Sequence, residues 1–198
     1  MKRAYKYIPL LVTEMDEKKL KGYHEQIAKY EDMTDRMELE ISTYLSKASR
    51  GELSSEATSR VRSMLSVAHH LERIGDIYLE ISINLSARKK KRAYFTQDMR
   101  DRIMTFSDMI NSSLELMVKN LKASEREVKF LDAEELELNI DASYLKLRKE
   151  YIKKVESGKF QIRSGVYYSD LIAGMERVGD HALSVTESLK KDGELVIE

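Results

Sequence analysis

The chain has 198 residues, 34 Lys plus Arg against 34 Asp plus Glu, no Cys and a single Pro. Balanced charge leaves no basic field to hold nucleic acid, and the lack of Cys excludes disulfides and thiolate metal sites. No apolar run approaches the roughly 20 residues that span a bilayer, and a composition rich in Leu, Ile, Met, Glu and Lys reads as all-helical.

In chain order, Met1 to Val12 carries the short apolar patch Ile8-Pro9-Leu10-Leu11-Val12, too short for a signal-peptide core followed by a cleavage site. Five long helices follow from apolar spacing. The first runs from about Asp16 to Ala48, with Leu20, Tyr23, Ile27, Tyr30, Thr34, Ile41 and Leu45 on one stripe, and stops at Arg50-Gly51-Glu52. The second runs from about Ser55 to Ala87, with Val61, Met64, Leu65, Ala68, Leu71, Tyr78 and Leu85 inward. Arg88-Lys89-Lys90-Lys91-Arg92 then reads first as a solvated linker and second as a contact for an anionic membrane surface. The third helix runs from the N-cap candidate Thr96 to about Ala123, the fourth from about Glu127 to Glu156, and the fifth from about Ser164 to Lys190. Long helices joined by short turns predict antiparallel bundles.

The pentapeptide Glu-Arg-(Ile/Val)-Gly-Asp occurs twice, at 72–76 and at 176–180, an offset of 104 (176 − 72). A repeat at half the chain length predicts two related halves, residues 1–93 and 94–198. Helix two matches helix five, and helix one matches helix four at an offset of 106 (141 − 35). Helix three has only Met1 to about Thr13 as its counterpart, with Pro9 interrupting it, so the first half is expected to be truncated.

Each motif puts a Glu and an Asp one helical turn apart on one face. On a helical wheel Glu72 falls between Leu79 and the pair Leu65 and Ile83, with Asp76 at the edge of the apolar arc; Glu176 and Asp180 repeat the pattern. Asp141 is expected deeper, within a stripe of Leu138, Tyr144, Leu145, Tyr151 and Ile152. Buried carboxylates require cations, either arginines, with Arg60, Arg62, Arg148 and Arg163 as partners, or metal ions. Gly75 and Gly179 cost helix propensity, so they are expected to admit a companion helix. An all-carboxylate site suits hard ions such as Fe(III), Mn or Mg, with Zn as an alternative. No Glu-x-x-His pair of the ferritin-like kind is present, His69 leans toward Asp76, and no P-loop, nucleophile elbow or triad argues for catalysis.

Leu71-Glu72-Arg73-Ile74-Gly75-Asp76 and Met175-Glu176-Arg177-Val178-Gly179-Asp180-His181-Ala182 resemble the paired signature of the PhoU family of bacterial phosphate-uptake regulators, over roughly Leu20 to Leu189. The resemblance implies two side-by-side three-helix bundles, the first with a truncated first helix. It implies a multinuclear metal cluster, iron first, in each: Glu72 and Asp76 with Asp35 as companion, and Glu176 and Asp180 with Asp141, keeping Glu31, Glu38 and Glu137 as secondary candidates. The first copy departs from the pattern, with Ile77-Tyr78 where the second has His181-Ala182, and its site is expected to be the less complete. PhoU-like modules also form the cytoplasmic parts of bacterial sodium/phosphate cotransporters. The short first helix and the basic run favour that reading: a non-enzymatic regulatory domain of an inner-membrane transporter, its partner being the membrane portion or a second copy. A free-standing phosphate-uptake regulator and a metal-free structural adaptor are the alternatives.

Overall fold

The computed structural model describes residues 6–190 apart from Met15 and Glu52. Among the described residues the regular structure is all helical: α1 (Tyr7–Thr13), α2 (Glu17–Ala48), α3 (Ser55–Lys90), α4 (Gln97–Asn120), α5 (Phe130–Glu156) and α6 (Ile162–Glu187), with one 3-10 turn at Glu125–Glu127. The starts of α2, α3 and α4 are capped by side chains. Asp16 accepts from the Lys18 and Lys19 N–H groups, Ser54 from that of Ala57, and Thr96 from that of Met99. Helix α4 ends at Asn120, earlier than its periodicity predicts. The buried Asn120 amide accepts from the Lys129 N–H and donates to the Lys129 carbonyl, tying this end to the start of α5.

Helix α2 packs on α3, and α1 lies across α2, α3 and α4; α4, α5 and α6 pack on one another; α3 lies against α6 and joins the two groups. This is an all-α fold of two three-helix groups whose motif helices touch. The register of α3 on α6 is antiparallel: Ser66 Oγ meets Ser188 Oγ at 2.7 Å, His70 meets His181, and the Arg177 guanidinium donates to Glu80 at 2.8 Å. Ile74, Ile77 and Ile81 fill one side of this contact, and Leu171, Met175 and Val178 are buried on α6.

Pro9 is the third residue of α1, where its missing N–H would have no partner in any case, so it sits inside the helix and does not interrupt it. Helix α1 has 7 residues and its counterpart α4 has 24. The difference leaves a mark on α3. Positions 64, 71, 78 and 85 share a stripe, and burial along it rises toward the end that α1 covers: Met64 is 47% exposed, Leu71 partly buried, Tyr78 and Leu85 buried. The equivalents of Met64 and Leu71 on α6, Tyr168 and Met175, are 1% and 2% exposed under α4. Among the described residues, the length that α1 does not reach is an apolar recess lined by Ile41, Tyr44, Met64 and Leu71, with Leu121 and Leu189 from the second half.

Two expectations are corrected. Of the stripe assigned to the fourth helix, Tyr144 and Tyr151 do pack against the core, with Leu147 and Val155, but Leu138, Leu145 and Ile152 are exposed, and Ala133 and Ile140 are the buried positions. Asp141 is therefore half-buried at the edge of that face and not at its centre. The basic run is not a solvated linker throughout, because α3 continues to Lys90. The Arg88 side chain is buried; its Nη2 donates to the Val12 carbonyl at 3.2 Å and to that of Leu11 at 3.5 Å, and its guanidinium lies 4.2 Å over the Phe95 ring. Burial pulls its pKa down to about 10. Arg88 thus caps the C-terminal carbonyls of α1, where a cation also complements the helix dipole. Arg88→Ala should release α1. Hydrogen exchange should show lost amide protection in Tyr7–Thr13 with protection retained in α4 and α6; unchanged protection in α1 would contradict this role.

Candidate metal centre

The motif glycines lie where α3 and α6 meet their companion helices. A Cβ built on Gly75 would stand 2.6 Å from the Thr34 Oγ1 and 3.7 Å from the Glu31 Cα. A Cβ on Gly179 would stand 3.2 Å from the Ile140 Cδ1. Thr34 and Ile140 correspond at the 106-residue offset. Glycine lets α2 approach α3, and α5 approach α6, closely enough for carboxylates to meet across each pair. The Thr34 hydroxyl is fixed by donating to the Glu31 carbonyl at 2.8 Å.

Two groups of three carboxylates result. Glu31, Asp35 and Asp76 place one oxygen each within 4.8 Å of one another, and so do Glu137, Asp141 and Asp180. Asp35, Asp76, Asp141 and Asp180 were expected here from the sequence. Glu31 and Glu137, held there as secondary candidates, lie inside the groups. They sit one turn before Asp35 and Asp141, and the close approach at each glycine brings their backbone alongside the motif. Glu72 and Glu176 stand next to the groups: Glu72 hydrogen-bonds Asp76, and Glu176 feels the charges of Asp180, Asp141 and Glu137. Glu38 points elsewhere, accepting from the Ser42 hydroxyl at 2.9 Å.

Proximity and burial work against ionisation. Burial, then the hydrogen bond and the charge of Asp76, push Glu72 up to about 7. Burial, then Asp180 and Asp141, push Glu176 up to about 7. Glu31, Glu137 and Asp180 are raised as well, in each case first by burial and next by a neighbouring aspartate. Two of the arginines expected to compensate are engaged elsewhere. Arg60 pairs with Glu56, and Arg163 donates to the Lys91 carbonyl. The cation at the first group is Arg73, from within the motif, which donates to Asp76 at 2.7 Å; it was not among the arginines expected from the sequence, although its i,i+3 spacing from Asp76 is a signal that could have shown it. Its counterpart Arg177 turns away to Glu80, so the second group holds its acids without that pairing.

Overpacking costs about 1–3 kcal/mol and Ala regains about 1 kcal/mol of helix propensity, so Gly75→Ala should destabilise by up to about 2 kcal/mol. Thr34→Ala in the same chain should restore most of the loss in denaturant melts; Gly179→Ala, with its looser contact, should lose less.

The raised carboxyls also fix a pH response. Glu72 and Glu176 bind protons near pH 7 when folded and near 4.5 when unfolded. Between those values the folded state holds more protons, so stability falls as pH rises. The chelator-treated protein should therefore melt lower at pH 7.5 than at pH 5, and Glu72→Gln with Glu176→Gln should flatten that slope. A slope unchanged in the double variant would place its origin elsewhere.

The PhoU domain profile matches residues 11–84 and 103–189, and so spans both carboxylate groups. Among solved structures, the crystal structure of PhoU from Pseudomonas aeruginosa matches with a TM-score of 0.62 at 16% identity, covering 95% of this chain and 92% of that one. No curated protein matches the chain. Two motif-bearing halves, their helical pairing and the profile match over most of its length agree: this chain belongs to the PhoU domain family.

Proposed function

We propose that the chain is a metal-binding regulatory module of phosphate transport and homeostasis. The observation that carries the metal part is the pair of three-carboxylate groups at equivalent places in the two halves, each drawing acids from two helices. The donor set fits a hard ion: oxygen ligands only, and more negative charge than the neighbouring arginines offset. Glu31, Asp35 and Asp76 would hold ions in the first half, with Glu72 beside them. Glu137, Asp141 and Asp180 would do so in the second, with Glu176 beside them. Iron is the first candidate; zinc, manganese and magnesium are the others. Bound there, an ion supplies the positive charge that lets all the acids ionise together. The protein's own part is to fix helix α2 on α3 and α5 on α6, so the reading is structural and regulatory and assigns no catalytic step.

The family places the module in phosphate regulation. We assign it further to the inner side of the cytoplasmic membrane, as part of a sodium-dependent phosphate cotransporter, because its paired motif resembles that of the modules such transporters carry. A free-standing phosphate-uptake regulator fits the family equally, and an open reading frame upstream encoding membrane helices would separate the two. Burial of Arg88 and the pairing of Lys89 with Glu17 weaken the anionic-lipid contact first expected at Arg88–Arg92, leaving Lys90, Lys91 and Arg92 for it. The Arg73–Asp76 pair favours a second reading, a metal-free helical adaptor, at the first site only.

Elemental analysis of the purified protein decides between them. Wild type should carry at least one ion per half. Asp35→Asn with Asp76→Asn should remove the first complement alone, and Asp141→Asn with Asp180→Asn the second. Metal-free wild type whose melting temperature ignores both chelator and added iron would leave the adaptor.

A further inference from the structure

The α3–α6 contact holds a second kind of donor. The Nδ1 atoms of His70 and His181 lie 3.1 Å apart across it, with ring centroids 5.3 Å apart and the planes tilted by 38°. Both rings are half-buried. The internal repeat does not supply them: the position equivalent to His70 is Gly174, and that equivalent to His181 is Ile77. They come together only because the motif helices run antiparallel in this register, with Ser66 and Ser188 paired on the side toward the start of α3.

Without an ion, one Nδ1–H donates to the other Nδ1, and a single proton serves two lone pairs. The same geometry suits a shared metal. Two imidazole nitrogens about 2.0–2.1 Å from a tetrahedral zinc stand roughly 3.3 Å apart, close to the observed separation. Arg73 and Arg177 spend their charge on Asp76 and Glu80. On the other side, Glu187 places negative charge near His70. His69 is directed away, its Nδ1 4.0 Å from Glu72.

We propose that His70 and His181 form a separate site for a borderline divalent ion such as zinc, bridging the two halves of the molecule. Each ring ligates through Nδ1 with its hydrogen on Nε2: the ring that donates in the ion-free state gives up its Nδ1 proton and takes one on Nε2 through solvent, so there is no net proton release, and solvent completes the coordination. Imidazole donors prefer such ions, whereas the carboxylate groups prefer hard ones, so the two kinds of site select different metals.

The test is a titration of the full chain with zinc chloride, read by imidazole 15N chemical shifts and by calorimetry. At one equivalent the Nδ1 signals of His70 and His181 should move together while those of His24 and His69 stay. Loss of a direct ligand should cost at least the roughly tenfold that loss of a supporting partner costs. His70→Asn and His181→Ala should each weaken zinc accordingly, and Asp35→Asn with Asp141→Asn should leave this site intact while altering the carboxylate groups. Static Nδ1 signals in wild type would overturn the proposal whether or not the variants fold. So would histidine variants that bind zinc undiminished, or loss of the site in the aspartate variant. Because the carboxylate reading is judged by iron and its own variants, either idea can fail alone.

Discussion

Close packing at two backbone positions governs this molecule. At Gly75 a methyl group would collide with Thr34, and at Gly179 it would press on Ile140. Removing the side chain costs helix propensity at both places. In exchange, α2 settles on α3 and α5 on α6 at a spacing that ordinary residues would not permit. The carboxylate chemistry lies within a turn of those two points: the acids from the companion helices, the acids of the motif itself, and the arginine between them. A loosened contact would separate Glu31 and Asp35 from Asp76 and dissolve the arrangement without altering a single carboxylate.

The resulting electrostatics run against stability. Six acids converge in two places, and the shifts on Glu72 and Glu176 show how strongly those places favour a proton or another cation. The two halves answer differently. Arg73 folds back on Asp76, while Arg177 reaches across to Glu80. That second pair is solvent-exposed and contributes little energy, yet it takes a guanidinium away from Asp180. Asp35 is exposed and Asp141 half-buried, so the first group is both the better neutralised and the more open of the two.

Much of the fold could be read from periodicity, because long helices repeat their signal many times. Residues such as Asp16 and Thr96 announce their helix starts chemically, and the 104-residue repeat fixed which helices correspond. What failed had local causes. Helix α5 carries leucines on its exposed side, so a count of apolar residues put Leu138 and Leu145 inward and turned Asp141 with them. Arg88 looked like a member of a basic run because sequence does not reveal that α1 presents two carbonyls to it. In the candidate site, the aspartates were legible from the motif and its companions. The place of Glu31 and Glu137 depended on helix spacing, which only the glycines hinted at. The meeting of His70 with His181 is a matter of register between two distant helices, and no local pattern encodes it.

The short α1 has a consequence for how the molecule opens. Toward the turn after Ala48, the α2–α3 hairpin lies beyond the reach of α1, and Ile41, Tyr44 and Met64 are exposed there. Fluctuations that separate the hairpin begin at such an end and travel inward. They meet Glu31, Asp35 and Asp76 about half-way along. That carboxylate group therefore sits at the boundary between the exposed arm and the closed one, where Arg73 already pairs with Asp76.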